Sequence, residues 1–504
     1  MLFTIVLSLL AAAPRAASLR ATAVTVSVDP SPVLTLPRNY LGFTLDWWPP
    51  AQESFGTSTV NLVDLRNPRL LNFARALGPT TLRVGGSLDN VVKYLVGDMP
   101  RAECEAPVPF RGQVFPNLCL NVTRFSEVLD FVGGGLAAGS TLVFGLQLNL
   151  GEDNGGPWNS SNVLAFLSAV SALPNAGVLE AFEVGEETTP DPTGTAAWSA
   201  FTSAYSGIRA SINSLWPAPS RPLLLGPCTG MNDNVPPFAW TNSFVNNVSV
   251  DAYVMHSYNN NGGEAWKLPG FLAQTASQAA GLRGVLDAAA AAKGTTPLSL
   301  WCGECGSHNG GGIPNVTDRA ISAFWYTDAL NGLPLLGVTR FNRQTLSGAY
   351  YSLLANDDFA PRPDYFAALA YASFMGKSLL GAGTDVNVSS SLHVYAACAA
   401  EGGGAIAVAF VNVNSTESFA LSLDGARGGK TVYTFAPLNG DPLSDTLTLN
   451  GVELRAEGDE PPPLVGMDGD AATATLSAPF SFGYVVFHNA SVAACQSSGG
   501  MTRI

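Results

Sequence analysis

Between Tyr40 and Gln344 the chain alternates short apolar runs with longer stretches whose apolar residues recur at helical spacing. Eight runs read as strands: Tyr40–Trp48, Thr80–Ser87, Ser140–Gly151, Leu179–Glu187, Pro222–Gly230, Asp251–Asn259, Pro297–Gly306 and Gly337–Gln344. Between most of them lie helical patterns such as Ser161–Leu173 and Leu272–Ala292. A further helix is expected after Asn67, which can cap it. Pro68 suits its first turn, Leu70, Phe73, Ala74 and Leu77 share one face, and Gly78-Pro79 stops it. Buried parallel strands lose the in/out alternation, so eight apolar strands alternating with helices predict an α/β fold, a closed (β/α)8 barrel. A doubly wound open sheet is the rival, and no G-x-G-x-x-G follows the first strand to support it.

After Pro361–Gly376 the pattern changes to short strands separated by turn residues such as Asp424-Gly425 and Asn450-Gly451. That predicts a C-terminal antiparallel β-sandwich over 377–495, with 19–39 supplying one more strand and 40–376 forming the barrel. Residues 1–18, an apolar run followed by small residues, suit a cleaved secretory signal, and 496–504 form a polar tail. A secreted protein of the extracellular space or cell wall, or one of a lysosome or vacuole, is expected. No later run is long enough to predict a membrane span.

Composition sharpens this picture in three ways. With 504 residues, 47% hydrophobic and only 13% charged, the chain is long enough for two folded domains with a weakly charged surface. A net charge of -14 argues against a nucleic-acid partner. The sequons at Asn121, Asn159, Asn247, Asn315, Asn387, Asn414 and Asn489 make glycosylation expected at several of them if the chain is exported. Cys104 and Cys119 are close enough in sequence to form a local disulfide. Cys302 and Cys305 form a C-x-x-C, but with no second such motif and four histidines in the chain they read as structural or free thiols. No metal or cofactor is expected.

The candidate chemistry sits at two strand ends. In "LWCGECGSHNGGG" an apolar run reaches Glu304 and breaks into glycines; in "LEAFEVGEETTP" another reaches Glu186 and Glu187 before a Thr-Thr-Pro turn. In a barrel, Glu187 would close the fourth strand and Glu304 the seventh, both on the carboxyl-end face. Two facing carboxyls can cleave a glycosidic bond, one giving a proton to the leaving oxygen while the other attacks the anomeric carbon. Retention needs them roughly 5 to 5.5 Å apart.

The ordered motifs "LRVGGS", "FEVGEE", "MHSYNNNG", "WCGECGSHNGGG", Arg343-Gln344, "PRPDYF" and "LNGVELR" resemble the heparanase and β-glucuronidase proteins of glycoside hydrolase family 79, over nearly the whole mature chain. The resemblance implies a (β/α)8 barrel with a β-sandwich and a retaining glycosidase acting on a uronic-acid-containing glycan, with Glu187 as acid/base and Glu304 as nucleophile. It also implies sugar contacts at Asp46 and Ser87, with His256 and Tyr258 near the nucleophile and Gln344 ending the eighth strand. A grip on the uronate carboxylate would come from Tyr351, or its neighbour Tyr350, with the backbone of Gly310 and Gly311. A disulfide between Cys398 and Cys495 is likewise implied.

The chain departs from that pattern in two places. Where the family has asparagine before the acid/base, this chain has Glu186, which when ionised only accepts hydrogen bonds and sets a like charge beside Glu187. The basic clusters that grip sulfated chains have no counterpart: Asp98 to Arg124 carries only Arg101, Arg111 and Arg124. A glucuronidase of plant- or algal-type glycans is therefore expected over a heparan sulfate enzyme. The alternatives are a catalytically silent carbohydrate-binding relative and an exo-acting enzyme of other sugar specificity. Arg83 is expected to pair with a buried carboxylate. Glu183 and Glu186 are either structural or sugar-binding, and Trp47, Trp48 and Trp158 line either a groove or the core.

Overall fold

The computed structural model describes residues 21–48, 58–150, 158, 160–230, 236–258, 273–388, 391–490 and 492–496; the expected signal, Asn159 and residues 497–504 lie outside them. Strand β1 (Thr22–Thr35) precedes eight strands that close into a parallel barrel: β2 (Leu41–Leu45), β3 (Thr81–Val84), β4 (Thr141–Leu146), β5 (Leu179–Val184), β6 (Leu223–Thr229), β7 (Ala252–Tyr258), β8 (Ser299–Gly306) and β9 (Val338–Arg343). Each pairs with its sequence neighbour, and β9 pairs with β2 to close the ring, Phe341 opposite Leu41 and Arg343 opposite Phe43. Their residues are buried almost without alternation, which is why these runs read as apolar rather than amphipathic.

Helices α1 (Pro68–Ala76), α2 (Val122–Asp130), α3 (Ser161–Ser171), α4 (Ala196–Leu215), α5 (Ala239–Asn247), α6 (Ala273–Lys293), α7 (Ala320–Gly332) and α8 (Pro363–Phe374) fill the crossovers and the exit from the barrel. The Asn67 side chain accepts from the N–H groups of Arg69 and Leu70, and Leu70, Phe73 and Ala74 are the buried face of α1, as the spacing predicts. Helix α7 is buried on all sides because it lies between the barrel and the second sheet. Its Phe324 meets Phe482 edge-on at 5.1 Å, and its Trp325 lies 6.2 Å from Phe341 of β9. Each aromatic buried this fully contributes about 1.5–3 kcal/mol.

The second sheet has 11 strands and is antiparallel except where β1 runs parallel to its neighbour from Phe419 to Leu423. It curls so that Val24, Val26, Leu380, Val408, Phe410, Phe419, Leu421, Val485 and Phe487 enclose a core of their own. Its other face, with Ala407, Ala409, Phe435, Phe482 and Tyr484, belongs to the barrel's hydrophobic core. Disulfides join Cys104 to Cys119 and Cys398 to Cys495. Cys302 and Cys305 are also paired, and Cys228 is a buried free thiol.

Candidate active site

Every strand-end residue singled out above lies at the carboxyl end of the barrel. Asp46 follows β2, Ser87 opens the turn after β3, Glu186 and Glu187 follow β5, His256 and Tyr258 end β7, Glu304 lies on β8, and Gln344 follows β9. A bulge aims Glu304: Met255 pairs with Cys302 but His256 pairs with Glu304, leaving Gly303 unmatched. Gly303 has to be glycine, because a Cβ there would fall 2.3 Å from Val254 Cγ1. Cys302 and Cys305 bracket this bulge, so they are structural, one of the two readings their sequence left open.

At the centre stands Arg83. Its Nε donates to Glu183 at 2.7 Å, Nη1 to Glu304 at 2.9 Å and Nη2 to Glu186 at 2.5 Å. The sequence led us to expect one carboxylate partner, and the structure supplies three. Gly85 leaves room for this fork, since a Cβ there would lie 2.6 Å from the guanidinium carbon. Nη2 also lies 3.5 Å from His256 Nε2, and His256 Nδ1 lies 3.2 Å from Glu187 Oε1, so contacts run from Glu304 through Arg83 and His256 to Glu187. Glu304 also accepts from the Tyr258 hydroxyl.

The carboxyls differ in environment. Burial alone would raise Glu304, but His256, Arg83 and the Tyr258 hydroxyl outweigh it and bring its pKa down to about 2. Glu187 is one-third exposed at its side chain and makes no ion pair with Arg83. Glu186 goes the other way: burial pushes it well above the usual carboxylate range despite Arg83, with Glu304, Asp89 and Glu187 adding to the rise. Glu186 therefore departs from the ionised neighbour that the Glu186-Glu187 pair suggests: it sits 1% exposed among other carboxyls, and that burial favours its protonated form.

Asp46 accepts from Trp47 N–H at 2.6 Å and Gln344 Nε2 at 2.7 Å, and Gln344 in turn accepts from the Thr44 hydroxyl. Burial, then Glu304, raise the Asp46 pKa from 3.8 to about 7. Folding then takes up a proton between those values, so this group's contribution to stability is full below pH 3.8 and is lost as pH rises through 7. The expected loss is on the order of 4 kcal/mol. The melting temperature should fall between pH 4 and pH 7 and level off above, and Asp46→Asn should flatten that fall; thermal denaturation across pH checks it.

Tyr351 is buried, stacks on Tyr258 at 6.3 Å, and hydrogen-bonds Gln344. Tyr350 N–H donates to the Gly311 carbonyl at 2.8 Å, tying the loops after β8 and β9 together; Gly310 is exposed beside it. Ser87 is half-buried at the mouth. Trp47 is core, packed edge-on against Phe144, whereas Trp48 and Trp158 are half-buried. Glu183 is fully buried on Arg83 and so is structural.

Sequence reasoning missed Asp89 and Asn90. Asn90 clamps Glu186 from both sides, donating to its carbonyl at 2.7 Å and accepting from its N–H at 3.0 Å. Asp89 is buried with neither carboxyl oxygen hydrogen-bonded, and burial holds it well above the usual range. Their signal was a polar pair inside the apolar run from Leu88 to Val92.

Among the described residues, Glu186, Glu187 and His256 bring three ligand-type atoms within 4.8 Å of one another. The Arg83 guanidinium already lies against Glu186 and His256, so we assign no metal there. A cavity of about 310 Å³ lined by Val245, Asn247, Leu286 and Leu298 opens at the other end of the barrel, away from these carboxyls.

The model of the glycosyl hydrolase family 79 N-terminal domain matches residues 22–331. Heparanase-like protein 3 of Arabidopsis thaliana is 26% identical, over 92% of both chains. The baicalin-β-D-glucuronidase of Scutellaria baicalensis is 26% identical, over 94% of both. In fold, the chain is similar to the family 51 α-L-arabinofuranosidase of Thermotoga petrophila RKU-1, with a TM-score of 0.64 and 14% identity over 92% of this chain and 100% of that one.

Proposed function

The chain belongs to glycosyl hydrolase family 79, and from that premise we propose that it is a secreted retaining glycosidase that removes β-linked glucuronic acid from glycans. The observation that carries this is the contrast between Glu304, held ionised by Arg83, His256 and Tyr258, and Glu187, which lies on the same face, one-third exposed and outside the Arg83 fork. An ionised carboxylate suits attack on the anomeric carbon, and a carboxyl facing the open side suits proton delivery to the leaving oxygen. A glucuronidase among the full-length relatives supports the sugar assignment.

The uronate would meet neutral donors. The buried cations Arg83 and Arg343 are already committed, Arg343 to Asp364 at 2.5 Å. That leaves the Tyr351 hydroxyl and the backbone at Gly310 and Gly311. The silent-relative reading needs an ionised Glu186, and burial works against that.

An aryl β-glucuronide assayed beside the matching glucoside and galactoside tests the reading. Because a site built for a polar group rejects analogues lacking it, kcat/KM should favour the glucuronide by about 10⁴-fold. A preference for either neutral sugar supports the other specificity. Undetectable turnover restored by Glu186→Asn supports the silent relative.

A further inference from the structure

We propose that Glu186 is a proton-bearing positioning residue: its neutral carboxylic acid donates a hydrogen bond to the Glu304 carboxylate and holds it in place, and the site works only while that proton is present. The role of Glu304 as nucleophile rests on the function proposed above; the protonation of Glu186 does not.

The first support is charge. One guanidinium, Arg83, faces the carboxyls of Glu183, Glu186 and Glu304. With all three ionised, their charge would exceed that of Arg83 by two, more than the single charge His256 could add, in a site whose members are at most 8% exposed, and buried unpaired charge is strongly unfavourable. A proton on one of them removes half of that excess.

The second is geometry. Arg83 holds the Glu186 and Glu304 Oε2 atoms on its two terminal nitrogens, at 2.5 Å and 2.9 Å, which makes the two carboxyls neighbours on one guanidinium. Two carboxylates have only acceptors, so buried neighbours of this kind are stabilised when one of the pair carries a proton and donates it to the other. Glu304 also has the Tyr258 hydroxyl and Arg83 Nη1 as donors, both of which favour its ionised form. Glu186 has Arg83 Nη2 at 2.5 Å and, at its other oxygen, the longer contact of His256 Nδ1 at 3.4 Å. The proton therefore belongs on Glu186.

The acidic groups facing Glu186 outnumber the cationic ones. Glu183 and Glu187 on its own segment, Asp89 after β3, Cys228 at the end of β6 and Glu304 on β8 are acidic; Arg83 and His256 are its cationic or potentially cationic neighbours. The Asn90 clamp fixes the Glu186 backbone, so a newly charged carboxylate has no route into solvent.

Infrared spectroscopy of protein carrying ¹³C-labelled glutamate separates protonated glutamic acid from glutamate and leaves Asp46 and Asp89 silent. At pH 7 the wild type should show a carboxylic-acid band that Glu186→Gln loses. An unchanged band in that variant overturns the proposal. If the variant does not fold, Glu304→Gln must shift the same band, because the acceptor becomes a neutral amide; an unshifted band overturns it equally. On a glucuronide with an activated aryl leaving group, which needs little help from Glu187, kcat/KM of the wild type should fall about tenfold per pH unit above the infrared midpoint. Glu186→Gln should stay flat there, and a parallel fall would contradict the positioning role. A protonated Glu186 in a protein inactive on glucuronides would refute the function proposed above while leaving the proton assignment standing.

Discussion

Glu304→Gln should lower turnover of an aryl glucuronide by about 10⁴-fold or more, since removing a covalent nucleophile forfeits the whole pathway that runs through it. The fold should survive. The amide oxygen can keep the Arg83 contact made at Oε2 while the amide NH2, in the place of Oε1, donates to the Tyr258 hydroxyl oxygen, and the change removes one negative charge from a cluster with more carboxyls than cations. We expect a melting temperature at pH 7 equal to or above that of the wild type. This combination separates a chemical role from a structural one: a variant that lost activity by unfolding would lose both. Substrate binding should persist, so that isothermal titration with the intact glucuronide gives an affinity within about tenfold of the wild-type KM. Residual activity above a hundredth of the wild type would place the nucleophile elsewhere.

Arg83→Leu should have the largest effect on stability. It strips the shared cation from Glu183, Glu186 and Glu304, whose Oε2 atoms each lie within 2.9 Å of it. Breaking a buried ion pair by deleting one partner costs about 3–5 kcal/mol, and here three partners are stranded. Because the loss arises from uncompensated carboxylates, acid should offset it. The variant should melt much closer to the wild type at pH 4.5 than at pH 8, as the stranded carboxyls take up protons. Arg83→Lys keeps the charge but not the fork and should fall between the two. Chemical denaturation at the two pH values reads all of this; an Arg83→Leu variant as stable as the wild type at pH 8 would mean that Arg83 is not what holds the cluster.

The barrel was legible because burial on both faces leaves a simple signature, the run of apolar residues from Leu41 to Arg343 in eight pieces. The strand-end residues were legible for the same reason: Asp46, Glu187 and Glu304 are the polar residues that interrupt those runs just where the strand gives way to loop. What the residues could not convey is sharing. Nothing in "LRVGGS" tells that Arg83 reaches three strands at once, because that depends on Gly85 vacating the space its guanidinium fills. The protonation of Glu186 is likewise a property of the assembled site: beside Glu187 in sequence it reads as a second negative charge, whereas in the fold the burial it shares with Glu304 and Asp89 decides its state. Strand ends were also read too long. Ser140–Gly151 reads as one strand, but pairing stops at Leu146; beyond it Leu148 and Leu150 join the core while Asn149 is exposed, so the apolar positions continue past the sheet.

The central claim is that Glu304 forms a covalent bond to the sugar while Glu187 supplies the proton. A 2-deoxy-2-fluoro glucuronide with a good leaving group should trap that bond, because the fluorine slows breakdown of the intermediate more than the leaving group's departure. Peptide mass spectrometry after inactivation should then find one fluoro-glucuronyl group, attached at Glu304. Attachment at Glu187 or Glu186, or no adduct from an enzyme that still hydrolyses glucuronides, would contradict the account.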